Sequence, residues 1–199
     1  MKKRLFYVGV LFCSVVLFTS CASFPQTEYD STKAVVSEVK TAGADVYVPE
    51  VYKTLTDSLE KAEIKLAAEK SKWFRTYKEP KVYLAGVTNF AVEVKGKNEV
   101  RKAELVKENE GLVTEVTALI TTDTELLTKA PKGKGGAEIL VAIRTDVSVV
   151  QTTLDEAKVL VTSNDLLGAN SKLKAAKEKG LAIKAELETA IAKVTKHKK

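Results

Sequence analysis

Two runs in the last third of the chain restrict its fold more than any other feature. Leu140, Ile143, Val147, Val150, Leu154, Ala157 and Val161 fall at alternating spacings of three and four, and Leu166, Ala169, Leu173, Ala176, Gly180, Ile183, Leu187, Ala190 and Val194 do the same. Such spacing keeps a narrow apolar seam on one side of a helix for its whole length, and a seam of that kind is covered by another helix. Asn164, Asp165 and Gly168 mark a turn between the runs. So short a connection makes the two helices antiparallel neighbours. The expected class is all-α, built as antiparallel helical hairpins or an elongated helix bundle with coiled-coil-like packing.

The earlier part of the chain reads as further helices. Asp30, Ser31 and Thr32 offer N-caps for a helix from Lys33 to Ala42 that Gly43 can end. Pro49 and Glu50 then suit the first turn of a second helix. Its stripe is Tyr52, Leu55, Leu59, Ala62, Leu66 and Trp73, interrupted where Glu69 takes a seam position, and it ends at Glu79-Pro80. A third helix is expected from Pro80 to Ala130 through Val87, Phe90 or Ala91, Val94, Leu105, Leu112, Val116, Leu119 and Leu126. Gly86, Gly96 and Gly111 each weaken it by up to about 1 kcal/mol, which places a bend or break near Gly96. Residues 131–136, Pro-Lys-Gly-Lys-Gly-Gly, read as a hairpin loop; they lack the Gly spacing and preceding strand of a phosphate-binding loop. The expected divisions are therefore a helical region with an aromatic cluster at 31–130, the loop at 131–136 and a C-terminal hairpin at 137–199. Ser58–Ala62 resembles Thr153–Ala157, and Lys102–Leu105 recurs as Lys184–Leu187. Such echoes fit two hairpins of related design, and they also arise by chance in Lys/Glu/Ala/Leu-rich helices.

A chain of 199 residues with 45% hydrophobic and 29% charged residues fits one ordinary domain or two small ones, which excludes a disordered chain and a large multidomain enzyme. Both cysteines, Cys13 and Cys21, fall within the first 21 residues, so the chain after them has no disulfide, cysteine zinc site or thiol nucleophile. The single histidine, His197, sits in a lysine-rich tail with Lys193, Lys196, Lys198 and Lys199, which reads as a solvated end. Carboxylates alternate with lysines, as in the pairs Glu99/Lys102 and Glu104/Lys107 on helix surfaces. No catalytic residues, metal ligands or cofactors are expected. No nucleic acid partner is expected either, since the lysine excess is not set among the aromatics.

The N-terminus carries the sharpest motif. Met-Lys-Lys-Arg at 1–4 precedes an uncharged, mostly apolar stretch from Leu5 to Ser20, then Cys21. Phe18-Thr19-Ser20-Cys21 resembles the lipobox of bacterial lipoproteins, with Phe18 where Leu, Val or Ile is usual. The resemblance implies a signal peptide at 1–20, cleavage between Ser20 and Cys21, lipidation of Cys21, and a lipidated tether at 21–30. Ala22 in place of Asp implies the outer membrane by the sorting logic of that family. The competing reading is an uncleaved anchor from Leu5 to Thr27, long enough by the ~20-residue requirement for a spanning helix. Pro25 and the polar residues Thr19, Ser20, Ser23, Gln26 and Thr27 stand against it. Cleavage removes Lys2, Lys3 and Arg4, so 29 basic residues face 26 acids and the formal charge falls from +6 to +3.

The run Thr41–Glu50 followed by Leu55, Leu59, Ala62 and Leu66 resembles the Tyr-Ala-Pro turn of a family of small bacterial envelope lipoproteins and periplasmic helical domains, with Val48 replacing the usual Ala. That resemblance implies helical architecture and envelope location. Tyr47, Tyr52, Trp73, Phe74, Tyr77, Tyr83 and Phe90 gather before residue 91, around Pro49 and Pro80. They are expected either as core or as a binding surface. The functional expectation is a lipid-anchored, non-enzymatic scaffold or interaction module with an envelope protein partner, the heptad seams closing within one chain or in a homo-oligomer. The alternative is a small-molecule or lipid carrier using the aromatic cluster.

Overall fold

The computed structural model describes residues 23–130 and 136–197. The expected signal peptide at 1–20, Cys21, Ala22, residues 131–135 of the expected loop and the last two lysines lie outside them. The described residues are all-α, with six helices: α1 Gln26–Thr41, α2 Ala44–Tyr47, α3 Pro49–Lys70, α4 Lys78–Lys129, α5 Gly136–Thr162 and α6 Leu166–His197.

Three boundaries differ from the sequence reading. α1 starts at Gln26 rather than Lys33, so Gln26–Asp30 are helix and not tether. Packing explains the extension: Phe24 and Tyr29 sit against the core, and Thr32, expected as a cap, is buried with its hydroxyl bonded to Glu28 O at 2.8 Å and to Thr88 Oγ1 at 3.0 Å. α3 stops at Lys70, leaving Trp73 outside the stripe. There Glu69 bends the chain away, its carboxylate accepting from Lys72 Nζ at 2.5 Å and from the Thr76 amide at 3.5 Å. α4 runs without a break past Gly96. Gly96 is exposed, and a Cβ there would meet nothing, while the opposite face stays buried through Leu84, Val87, Ala91, Val94, Asn98 and Leu105. Packing of that face outweighs the propensity cost of one glycine.

The chain divides into two compact units, Met1–Glu99 and Val100–Lys199. The division falls inside α4, which supplies apolar side chains to both cores.

In the first unit, α1, α3 and the start of α4 pack around Val36, Val39, Leu55, Ala62, Leu66, Leu84, Ala91 and Val94. Glu28 pairs with Lys81 and Glu38 with Lys95, while Asn98 Nδ2 donates to Ala42 O at 3.0 Å, so α1 and α4 run parallel. Lys65 reaches Glu79 at 2.6 Å across the α3–α4 hairpin. Gly43, at φ +87°, takes the left-handed conformation that ends α1, and Pro49 opens α3 as expected.

In the second unit, α5 and α6 form the expected antiparallel pair, with Glu156–Lys172 and Asp146–Lys179 as rungs. Ile143, Val147, Val150, Leu154, Ala157, Leu173, Ala176, Ile183 and Leu187 are all buried. Asn164 takes φ +63°, and Asp165 Oδ1 accepts from the Gly168 amide at 2.9 Å, capping α6. The pair is not alone: the later part of α4 completes a three-helix core with Leu112, Val116 and Leu127, joined by Ala130 just past its end. Glu108–Lys174 and Glu115–Lys177 set α4 parallel to α6. On the surface, Glu104 pairs with Arg101 rather than with the expected Lys107.

Three polar residues interrupt the α4 seam: Asn98, Asn109 and Asp123. Asn109 Nδ2 donates to Leu166 O, and its Oδ1 accepts from Asn170 Nδ2, both at 2.9 Å. Asn109→Ala leaves Asn170 buried without that acceptor and costs about 1–3 kcal/mol in chemical denaturation, whereas replacing both asparagines by Leu costs less than the single change. Asp123 is buried with Oδ1 lacking a hydrogen-bond partner among the described residues. Burial pushes its carboxyl up to about 6, against an opposing pull from Lys184 and with a smaller push from Glu188.

The folded state therefore favours protonated Asp123, and stability contributed by protonation is present at low pH and lost as pH rises through about 6. Thermal stability rises as pH falls from 7.5 to 5, and Asp123→Asn removes that slope and stabilises the protein by about 1–2 kcal/mol at pH 7.5. Glu28, Glu69 and Glu108 behave oppositely: lysine partners hold their carboxyls below the ordinary value, so their contribution is lost on further acidification.

Candidate functional site

The seven aromatics do not form one surface. α1 and α3 run antiparallel in the first unit, so its two ends are about 30 Å apart along the 22-residue α3. One end holds Tyr47, whose ring lies over Gly43, and Tyr52 in the first turn of α3. A Cβ at Gly43 would stand 3.1 Å from the Tyr47 ring, which together with the positive φ makes glycine necessary there. The Tyr52 hydroxyl has its pKa raised by burial and by Asp45.

The other end holds Trp73, Phe74 and Tyr77. Tyr77 is buried and meets Phe24 edge to face at 5.7 Å between centroids. Phe24 also meets Tyr29 edge to face at 6.1 Å, and Lys70 Nζ stands 6.0 Å above the Phe24 ring. Tyr29 donates its hydroxyl to Glu63 at 2.7 Å, which raises the phenol pKa. Phe24 and Tyr29 were missed as site residues because the tether reading covered 21–30. Their signal was an aromatic on each side of Pro25, at 24 and 29.

Trp73 and Phe74 contrast with these: they are 88% and 75% exposed. The segment that carries them is nevertheless built. Glu69, itself buried, holds Lys72 and the Thr76 amide; Ser71 Oγ donates to Ala68 O at 2.8 Å, and Arg75 Nε to Lys72 O at 3.3 Å. From Lys70 to Lys78 the chain reads Lys-Ser-Lys-Trp-Phe-Arg-Thr-Tyr-Lys, four cations and no acid. Here lysines and arginine are interleaved with aromatics, contrary to the sequence expectation.

Tyr83 and Phe90 lie on α4, Tyr83 with Lys65 Nζ 5.4 Å over its ring. With Ser58, Val82, Gly86 and Val87 they line an open groove of about 370 Å³, with Glu79 at its edge. Gly86 leaves that space unfilled, since a Cβ there would meet nothing within 4 Å. Trp73 does not line the groove.

Among the described residues no three His, Cys, Asp or Glu side chains converge as metal ligands, and no helix is long and apolar enough to cross a membrane. Ser20 and Cys21, the expected cleavage and lipidation residues, lie just before the described residues begin. The chain matches no protein-family model, no curated protein and no solved structure.

Glu69→Ala removes the acceptor that braces the segment 71–77. Trypsin then cuts at Lys72 and Arg75 about fivefold faster than in the unaltered chain, with the helical circular dichroism signal unchanged, as a local opening eased by about 1 kcal/mol requires.

Proposed function

We propose that this chain is a lipid-anchored, non-enzymatic helical protein of the cell envelope, held by acyl chains on Cys21 and acting as a scaffold or interaction module. The observation that carries the reading is the position of the cysteine. It follows a charged start and an apolar stretch, and it stands three residues before Phe24, which packs against the core of the first unit. Three residues span at most about 10 Å, so acyl chains on that sulfur keep the first unit close to the headgroups. Each buried methylene contributes about 0.8 kcal/mol, and two or more chains make a durable anchor. Ala22 favours the outer membrane in the lipoprotein resemblance, and a second envelope protein, or another copy of the chain, is the partner this reading calls for.

A second reading, a carrier of small apolar molecules, draws on the groove beside Tyr83 and Phe90. It is tested by an apolar fluorescent dye with its own emission, because Trp73 lies outside the groove. Gly86→Leu fills the groove, and under the carrier reading dye affinity falls at least about tenfold, or about 1.4 kcal/mol. Equal binding by both chains removes that reading.

The anchor is tested by growing cells with labelled palmitate. The unaltered protein incorporates label and Cys21→Ser does not. Label retained by Cys21→Ser, or absent from both, contradicts the proposal.

A further inference from the structure

We propose that the turn between α3 and α4 is a second membrane contact, in which Trp73 and Phe74 enter the interface of an anionic bilayer while the surrounding cations meet its headgroups. The inference deepens the anchor reading and rests on it for the nearness of lipid. Two exposed rings on a well-braced segment are the starting point. Trp73 and Phe74, 88% and 75% exposed, are the two most exposed large apolar side chains among the described residues, and they are adjacent, so they form one patch. The braces from Glu69, Ser71 and the buried Tyr77 fix the segment from inside, so both rings are presented outward by a built structure.

Chemistry chooses the occupant. Indole and phenyl rings set among Lys70, Lys72, Arg75 and Lys78 combine interfacial aromatics with a local charge of +4. Trp partitions to the headgroup level of bilayers, and basic residues near it are drawn to anionic lipid. Glu69 pairs with Lys72 and offsets one of the four cations, which leaves a net charge of +3 over residues 69–78. Glu79 and Glu28 are engaged outside the segment, with Lys65 and Lys81.

Geometry supplies the second argument. Phe24 touches both edges of the segment, through Lys70 at its start and Tyr77 at its end. Cys21 is three residues from Phe24. Acyl chains on Cys21, at most about 10 Å of chain from Phe24, are therefore tethered close to the end that carries the exposed rings. Rings that project from this end reach the interface, where amphipathic segments bury to about 5–10 Å.

Trp73 is the only tryptophan in the chain, so its emission reports on this site alone. The full chain purified from membranes is placed in vesicles of phosphatidylcholine with phosphatidylglycerol, with and without lipid brominated near the headgroup boundary. Expected is a blue-shifted emission, about twofold quenching by brominated lipid and protection from acrylamide. Lys70→Gln with Arg75→Gln and Lys78→Gln weakens the quenching, and so does replacing phosphatidylglycerol by neutral lipid. A control carries Trp73→Phe and Val92→Trp, on an exposed site about 20 Å further along α4; it stays bright with brominated lipid.

Trp73 left open to acrylamide in vesicle-bound protein overturns the inference. So does equal quenching at positions 73 and 92, which would lay the whole unit on lipid. Shielding of Trp73 in intact envelopes without quenching by brominated lipid overturns it in favour of a protein partner. The anchor reading fails separately, by a mass without acyl chains, and brominated lipid still decides the turn for a chain held in the vesicle by its uncleaved leader.

Discussion

The structure depends on the apolar face of α4. From Leu84 to Leu127 that helix turns a repeating set of small and branched side chains inward, first against α1 and α3 and then against α5 and α6. None of the helices has a strong reason to persist alone in water, since isolated helices of ordinary composition are marginal. Burial between helices supplies the stability. The same dependence explains why glycines at 86, 96 and 111, on the exposed side of α4, fail to break it. It also explains why Asn98, Asn109 and Asp123 stand out: each replaces an apolar residue in a seam where the cost of a buried polar group is highest. Asn109 and Asn170 satisfy one another, a pairing that matches only one register of α4 against α6.

The second half was the more legible in the sequence because its seam is nearly unbroken. Residues from Ile143 to Leu187 that were placed by spacing alone are buried except Val161, which is half-buried, and the cap at Asp165 stood where the turn residues suggested. What spacing could not reveal was the third partner, since α4 reads as a continuous pattern and gives no sign that residues 100–130 join the later pair. The first half was harder. Thr32 looks like a cap and lies in mid-helix, because Phe24 and Tyr29 give α1 extra turns something to pack on. Glu69 looked like an interruption of a stripe and is the residue that ends α3. A charged side chain bonding to a backbone amide several residues on leaves no periodic trace.

The candidate site was legible only as a list of aromatics. The structure sorts them by exposure: Tyr77 is core, Tyr47 and Tyr52 close the far turn, Tyr83 and Phe90 edge a groove, and Trp73 and Phe74 face outward. Position in a sequence does not tell a ring that fills a core from one that waits for a surface. The link between these exposed rings and the lipobox-like cysteine comes from Phe24, which joins the N-terminal end of the described chain to the α3–α4 turn.

That link makes lipid at residue 21 the premise on which the functional account stands. The most direct measurement is tandem mass spectrometry of the N-terminal tryptic peptide from isolated membranes. The account predicts a peptide that starts at Cys21, ends at Lys33 and carries diacylglycerol on the sulfur. The same peptide unmodified, or one that retains residues before Cys21, would contradict it.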